Sequence, residues 1–323
     1  MKKVILDCDP GHDDAFAIML AAKHLDVLGI TTIGGNGTLK NVSNNALKVL
    51  EVIDRTDIPV YPGHEGPLVN HLVTAPQFHG ETGMEGPVLP DPEIKLQGEH
   101  GVDFIIETVL ANKDITLIAT GPLTNIASAI NKSPKILKNI KEICIMGGSV
   151  TFGNWTPAAE FNIYVDPEAA SKVFKSGVLI KMTGVNLTRQ CMITEKELKN
   201  FQKINTKASN FAAELVDYFI GATMKSADIK GANLHDACAV AWVINPDLIQ
   251  AAPMHIDIEL HGELTRGMTV CDYRHLRGAE PEIDLNRTPT IRYRGKDPNA
   301  EGALELNFDG FLELLNDTLR DYN

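Results

Sequence analysis

The sequence has no long hydrophobic run and no excess of basic residues. Its longest apolar segments, such as residues 15–22 and 237–244, are far shorter than the roughly 20 residues of a transmembrane helix. Asp7 and Asp9 interrupt the first apolar segment after three residues, so the N-terminus predicts no signal peptide. The net charge of −12 argues against a duplex nucleic acid or an anionic membrane as partner, because affinity for phosphate comes mainly from Lys and Arg.

Cysteine is also scarce and unpaired in sequence. The five cysteines have no spacing that suggests a zinc or redox motif; they are Cys8, Cys144, Cys191, Cys238 and Cys271. Their odd number favours reduced thiols, and we therefore expect a cytoplasmic protein. The sequence also lacks a glycine-rich phosphate-binding loop with a lysine.

Short apolar runs alternate with helical patterns over the first two thirds of the chain. This alternation predicts an α/β fold, with a mostly parallel sheet flanked by helices on both faces. The apolar content of 44% and the length of 323 residues allow a sizeable core, and we expect residues 1–323 to form a single domain. The predicted strands are 4–8, 27–33, 58–61, 115–119, 142–146 and 178–182, and the predicted helices are 14–23, 39–53, 102–110, 123–130 and 167–174.

The last third of the chain is less regular. It contains predicted helices at 195–201, 211–224, 235–244 and 308–319, and predicted strands at 255–260 and 268–271. A stretch rich in proline and glycine at residues 63–92 is long for a structureless connection. Such segments in compact domains are usually functional loops or lids.

Four aspartates follow the first predicted strand within eight residues: Asp7, Asp9, Asp13 and Asp14. In an open parallel sheet, ligands bind outside the carboxyl ends of the strands. A helix N-terminus favours negative charge, but the mutual repulsion of so many carboxylates would raise their pKa values strongly. A hard cation removes that difficulty, and Ca²⁺ accepts about six to eight oxygen ligands in flexible geometry. The cluster therefore predicts a site for a hard cation, and Mg²⁺ would demand a tighter octahedron than Ca²⁺.

Two other interpretations of the cluster are open. Asp13 and Asp14 could cap the helix while Asp7 and Asp9 lie in a turn, although capping needs one acid rather than four. An Asp-x-Asp at a strand end could also supply the nucleophile and the acid of aspartyl-phosphate chemistry. Two further carboxylates beside a phosphate would repel it, which argues against this chemistry.

Further motifs occur along nearly the whole chain. The segment 7–14 is followed by motifs at residues 35–36, 79–83, 119–125, 146–148, 153–162, 166–170 and 234–236. In this order they resemble the inosine–uridine preferring nucleoside hydrolase family. Each motif alone is weak, but the ordered set is highly specific. The segment around Asn154 is most similar to bacterial members that prefer pyrimidines.

The resemblance implies a Rossmann-like open sheet with its active site at the C-terminal ends of the strands. The implied Ca²⁺ ligands are Asp9, Asp14, Asp236 and the main-chain carbonyl of Thr120, together with the ribose 2′- and 3′-hydroxyls and one water. Asp9 is also the implied general base for that water. The implied substrate-binding residues are Asp13, Asn36 and Asn162 at the ribose diol, Asn154 and Glu160 at the 5′-hydroxyl, Phe161 in the pocket wall, Met146 beneath the sugar, and His79 and His235 at the base.

His235 is the implied catalytic group for the departing base. A histidine at a helix start is more often structural, but His235 directly precedes the implied metal ligand Asp236, and the reference pKa of histidine suits proton donation near neutral pH. His12 lies in the turn and is expected to be structural or to tune the site. Asp7 is expected to be a supporting acid.

Two positions depart from the usual pattern of the family. The segment 224–234 carries no aromatic residue that could touch the base, although the preceding helix offers Tyr218 and Phe219. Asn186 stands where the family usually has Asp, which alters the hydrogen bonding available behind the site. The group that activates the departing base therefore stays open.

The resemblance implies hydrolysis of the N-glycosidic bond of ribonucleosides to ribose and free base, with uridine and cytidine preferred. A purine-preferring or non-specific hydrolase is an alternative. A different alternative is a non-catalytic, calcium-stabilised protein that binds nucleosides. The family usually forms homotetramers and sometimes dimers, so we expect a homo-oligomer of one of these sizes.

Overall fold

A nine-stranded sheet is the central feature of the computed structural model, which describes residues 1–272 and 296–322. A two-stranded antiparallel ribbon stands apart from it. The strands are β1 (Lys3–Cys8), β2 (Asp26–Thr32), β3 (Val60–Pro62), β4 (Ile115–Ala119), β5 (Ile140–Met146), β6 (Ile180–Thr183), β7 (Met192–Ile193), β8 (Ala232–Asn233), β9 (Ile249–Ile258), β10 (Thr269–Asp272) and β11 (Ala300–Leu306).

The sheet has the order β3-β2-β1-β4-β5-β6-β11-β9-β10, and β7 pairs with β8 in the ribbon. The neighbours from β3 to β11 all pair in parallel. Strand β9 is antiparallel to both β11 and β10. The prediction of a mostly parallel sheet is confirmed.

Helices cover both faces of the sheet and enclose two separate apolar cores. Successive side chains of β1 point to opposite faces, so Val4 and Leu6 belong to one core and Ile5 to the other. The helices are α1 (His12–His24), α2 (Leu39–Val52), α3 (Pro76–His79), α4 (Gly101–Ala111), α5 (Thr124–Lys132), α6 (Phe161–Val165), α7 (Pro167–Phe174), α8 (Val185–Thr188), α9 (Glu195–Ile204), α10 (Lys207–Ala227), α11 (His235–Ile244) and α12 (Phe308–Asp321).

The first core contains side chains of α1, α2, α9, α10, α11 and α12, and the second contains side chains of α4, α5 and α7. Among the described residues, no helix has both the length and the apolar character that crossing a membrane requires.

Several strands differ from the sequence-based prediction, among them the short β7 and β8, which were not predicted. Strand β9 begins at Ile249, six residues before the predicted strand 255–260. Strand β11 was not predicted at all, because Glu301 and Glu305 break its apolar pattern. It forms because β6 and β9 supply hydrogen-bonding partners on its two sides. Tertiary pairing therefore outweighs local propensity in this part of the sheet.

The carboxyl ends of three adjacent strands bring distant segments together. Asp7 of β1 pairs with Ala119 of β4, and Ala119 pairs with Ile145 of β5. The residues that follow these strands, Asp9, Thr120 and Met146 among them, therefore meet at one edge of the sheet. Helix α11 packs against α1. This packing places a second helix N-terminus beside that edge.

Candidate active site

A cavity of about 190 Å³ opens at this edge of the sheet. Of the thirteen site residues predicted from the sequence, eleven line it: Asp13, Asn36, His79, Thr120, Met146, Asn154, Glu160, Phe161, Asn162, His235 and Asp236. The other two, Asp9 and Asp14, have no exposed surface and lie beneath the lining. The structure thus collects the whole predicted set at one place.

Three carboxylates form the centre of this arrangement. Each of Asp13, Asp14 and Asp236 offers an oxygen within 4.8 Å of those of the other two. Asp13 and Asp14 belong to the first turn of α1, and Asp236 belongs to the first turn of α11. All three are buried, as is Asp9 in the turn before α1.

Hydrogen bonds from the main chain and from neutral side chains fix two of these carboxylates. Asp14 accepts from the Gly11 amide at 2.9 Å and from the Thr120 hydroxyl at 2.8 Å. Asp9 Oδ2 accepts from the Asn36 amide at 2.7 Å. Asp9 Oδ1 is buried and has no hydrogen-bond partner among the described residues. Asp14 does cap α1, but capping accounts for only one of the four acids.

Burial and mutual repulsion dominate the electrostatics of the cluster. Burial, and next the charge of Asp14, raises the pKa of Asp9 well above its usual range. Burial, and next Asp14, raises the pKa of Asp13 to about 7. Burial, and next Asp13, likewise raises the pKa of Asp236. Among the described residues, no lysine or arginine forms an ion pair with these acids.

The missing counter-charge and the unpartnered Asp9 oxygen indicate a site for a cation. Buried carboxylates are normally paired or bound to a metal, because an isolated buried charge is costly. The donors are all oxygens, which suits a hard cation. The residues present therefore fit a bound metal ion.

Asp7 lies outside the cavity. Its Oδ1 accepts from the Thr31 hydroxyl at 2.5 Å and from the Asn125 side chain at 2.8 Å. Burial raises its pKa to about 7. A nucleophilic aspartate must reach its substrate, so this position argues against aspartyl-phosphate chemistry at Asp7 and fits a supporting acid.

The sugar-side residues are held by main-chain contacts. The Asn162 side-chain amide donates to the carbonyl of Thr120 at 2.8 Å and to that of Met146 at 3.0 Å. Glu160 begins α6 and accepts from the amides of Gly148 and Asn162 at 2.9 and 3.0 Å. Asn154 Oδ1 accepts from the Phe161 amide at 2.9 Å. Burial raises the pKa of Glu160 to about 7. These side chains are preorganised before a ligand enters.

The rest of the cavity lining is mainly apolar. The sequence analysis missed several residues here, namely Ala75, Phe78, Val185, Arg189, Ala227, Ile229 and Asn233. Phe219 and Thr223 also line the cavity, and their spacing of four residues on α10 was a signal that could have found them together. Phe219 supplies an aromatic ring that the segment 224–234 lacks. Arg189 follows α8 and gave no signal in the sequence.

Two histidines of the cavity lining have pKa values lowered by burial, which favours their neutral form near pH 7. His235 Nδ1 lies 2.6 Å from the Thr188 hydroxyl. Burial, with a smaller contribution from Arg189, lowers the pKa of His235 to about 4. Burial, and next His12, lowers the pKa of His79 well below its usual range. The reference pKa behind the sequence-based role of His235 is therefore not the pKa of this environment.

Asn186 acts as both donor and acceptor. Its Oδ1 accepts from the Val150 amide at 3.0 Å, and its Nδ2 donates to the Ala303 carbonyl at 2.9 Å. An aspartate could make only the first of these bonds. The amide at this position therefore connects the loop after β5 to β11.

The family model of inosine–uridine preferring nucleoside hydrolases matches residues 4–313. The chain is 40% identical to the pyrimidine-specific ribonucleoside hydrolase RihA of Escherichia coli O81 (strain ED1a), across 99% of this chain and 98% of that protein.

Solved structures agree with this match. A purine-preferring ribonucleoside hydrolase from Gardnerella vaginalis has 32% identity and a TM-score of 0.87 over 99% of this chain and 98% of that one. A plant nucleoside hydrolase, PpNRh1, has the same identity and TM-score over 99% of both chains. Taken with the buried acid cluster and the cavity above it, these matches show that the chain belongs to the inosine–uridine preferring nucleoside hydrolase family and hydrolyses the N-glycosidic bond of ribonucleosides.

Proposed function

We propose that this hydrolase prefers pyrimidine ribonucleosides, requires Ca²⁺ and uses Asp9 as its general base. The observation that carries the proposal is the cluster of buried acids beneath a cavity lined by the predicted sugar-binding residues. The 40% identity to a pyrimidine-specific relative supports the preferred base. The fold does not decide that preference, because a purine-preferring structure shares it.

Asp9, Asp14, Asp236 and the main-chain carbonyl of Thr120 would hold the cation. The compact triad of carboxylates contains Asp14 and Asp236, and its third member is Asp13, the residue assigned to the ribose. Ca²⁺ bound there would supply positive charge that orients the ribose diol and favours ionisation of the attacking water.

Asp9 is suited to take a proton because its two oxygens differ. The Asn36 amide holds Oδ2 at 2.7 Å, which fixes the orientation of the carboxylate. Oδ1 makes no hydrogen bond to any described residue and can accept the proton of the water. The water oxygen bonds to C1′ as the bond from C1′ to the base nitrogen breaks. The electron pair of the broken C1′–N bond leaves with the base. The reaction passes through an oxocarbenium-like state.

The ribose binds by the side chains around the acid cluster. Asp13, Asn36 and Asn162 would contact the 2′- and 3′-hydroxyls, and Asn154 and Glu160 the 5′-hydroxyl. Their hydrogen bonds to the main chain hold them in place, so little orientation is lost when the substrate enters. Such positioning can contribute roughly 7–11 kcal/mol to lowering the barrier in favourable cases.

A panel of nucleosides tests the proposed function. We expect free ribose from uridine and cytidine, slower release from inosine and adenosine, and much slower release of deoxyribose from 2′-deoxyuridine, which lacks one hydroxyl of the diol. Reducing-sugar release under Ca²⁺ is the measurement. Release from none of the ribonucleosides would refute the proposal. Stabilisation by uridine without turnover would instead support a non-catalytic binding protein.

A substitution at Gly35 tests the position of Asp9, because a side chain at Gly35 would clash with the Asp9 carboxylate. A Cβ at Gly35 would stand 2.1 Å from Asp9 Oδ2, whereas one at Gly37 would meet no atom closer than 3.6 Å. We expect Gly35→Ala to lower kcat by about 100-fold, since misplacement of a catalytic group by about 1 Å has effects of this size. Gly37→Ala is the matched control and should keep kcat within a few-fold. Equal activity of the two variants would show that the position of Asp9 is unimportant.

The organisation of the protein is also part of the proposal. Strands β1 and β11 come from opposite ends of the chain and belong to one sheet, which supports a single domain over residues 1–323. The homotetramer or dimer and the cytoplasmic location stay predictions from the sequence.

A further inference from the structure

His12 and His79 form a buried pair beside the cavity. Their Nδ1 atoms are 3.2 Å apart and their ring centroids 5.4 Å apart. His79 lines the cavity, whereas His12 is fully buried behind it. His12 can therefore act on a bound base only through His79.

The hydrogen bonds of His12 determine where its proton lies. Its Nε2 is 2.6 Å from the carbonyl oxygen of Glu85. A carbonyl oxygen only accepts, so Nε2 carries the proton. Among the described residues no carboxylate hydrogen-bonds to this ring, and burial without such a partner favours neutral imidazole. Nδ1 of His12 then carries no proton and presents a lone pair.

The lone pair on His12 fixes the proton of His79 in turn. Two lone pairs facing each other at 3.2 Å would repel, so His79 Nδ1 carries a proton and donates it to His12. The main-chain N–H of His12 also points at His79 Nδ1, from a longer distance of 3.4 Å. In the proposed tautomer the shorter contact between the rings takes the place of this bond. Nε2 of His79 keeps its lone pair, and no described residue donates to it.

Surrounding groups hold both rings in this arrangement. The Tyr218 ring stacks on His12 with centroids 5.1 Å apart and an angle of 2° between planes. The Tyr218 hydroxyl donates to the Glu85 carboxylate at 2.9 Å. A Cβ at Gly11 would lie 2.6 Å from His79 Nδ1, so only glycine there leaves room for the ring.

We propose that His12 is a positioning residue that fixes the tautomer of His79, so that His79 Nε2 accepts a hydrogen bond from an N–H of the nucleobase. The proposal rests on the proposed function, since it requires a nucleobase beside His79. It favours bases with an imide or amine N–H on the edge facing His79, such as N3–H of uracil or N1–H of hypoxanthine.

Three variants of His12 separate its hydrogen bonding to His79 from its packing. His12→Asn can place an amide oxygen near the position of Nδ1 and keep the acceptor for His79. His12→Gln can place an amide near Nε2 and keep only the bond to Glu85. His12→Phe keeps the stacked ring and loses both bonds. Each variant is assayed with uridine against 3-methyluridine and with inosine against 1-methylinosine.

The ratio of kcat/KM between each nucleoside and its N-methyl analogue is the readout. We expect wild type and His12→Asn to discriminate strongly, and His12→Gln and His12→Phe to lose at least about tenfold of that ratio, the size of one buried hydrogen bond. The methyl group obstructs every variant alike, so differences between variants isolate the hydrogen bond. Ribose release with the same ratio in all four proteins overturns the proposed role of His12 alone. Absence of release from any ribonucleoside overturns the proposed function.

A measurement on the wild-type protein does not depend on the folding of variants. The ¹⁵N spectrum of histidine-labelled protein, with His79 assigned by comparison with His79→Gln, reports which nitrogen carries the proton. We expect protonated Nδ1 and unprotonated Nε2 for His79. The opposite tautomer overturns the proposal.

Discussion

Asp9→Asn is expected to lower kcat by roughly 10²–10⁴-fold, the range that a positioned general base contributes. The amide oxygen of Asn can still accept from the Asn36 amide, so the local geometry is kept while the proton acceptor is lost. In metal-free protein the same change should not lower the thermal unfolding midpoint, because it removes one of several repelling buried charges. Initial rates of ribose release and thermal unfolding check both expectations.

Asp7→Asn is the matched control for this experiment. Asp7 is an equally buried aspartate two residues away, but the Thr31 hydroxyl and the Asn125 side chain donate to it, whereas Asp9 accepts from the main-chain amide of Asn36. We expect its kcat to change by less than about tenfold, well below the contribution of a general base. If Asp7→Asn abolished turnover and Asp9→Asn did not, the assigned roles of the two acids would be wrong, and nucleophilic chemistry at Asp7 would return as an explanation.

Removal of the metal by a chelator should abolish ribose release and make stability strongly dependent on pH. Folding raises the pKa of Asp13 from 3.8 to about 7, and those of Asp9 and Asp236 also rise. The metal-free folded protein therefore binds more protons than the unfolded chain between these values. Its stability is highest below about pH 4 for these groups and falls as pH rises towards 7. Bound Ca²⁺ should remove this dependence.

Thermal unfolding at pH 5 and pH 8, with a chelator or with Ca²⁺, is the measurement. We expect Ca²⁺ to raise the midpoint more at pH 8 than at pH 5, and to restore activity. Mg²⁺ is the control cation and should restore less, because it demands a tighter octahedral geometry. Full activity after exhaustive chelation would contradict the metal requirement, and equal stabilisation at both pH values would contradict the electrostatic explanation.

The parts of the molecule that follow local rules could be predicted from the sequence. Strand β1 and helix α1 were predicted because an apolar run, a Pro-Gly turn and acids at the helix start follow one another directly. The acid cluster indicated a cation for the same local reason. Thr120 and Asp236, by contrast, entered only through resemblance to a family, because no local signal links segments so far apart.

The rest depends on tertiary contacts. Phe78 and Arg189 line the cavity only because α3 and the turn after α8 are folded over it. His12 was expected to be structural, and its ring does lie outside the cavity. Its contact with His79 crosses more than sixty residues of sequence, so no periodic pattern could have indicated it. The lowered pKa of His235 likewise comes from burial that the sequence does not display.

The position of β11 between β6 and β9 has a consequence for synthesis on the ribosome. Strand β6 is complete at Thr183, but the strand that covers its outer edge comes from Ala300–Leu306. In the growing nascent chain, the outer edge of β6 therefore stays unpaired until residue 306 has left the ribosome. Such open edges invite pairing with other chains. We therefore expect this chain to depend on β11 to avoid aggregation during translation. The sheet that carries the proposed metal site is complete only after β11 has paired with β6.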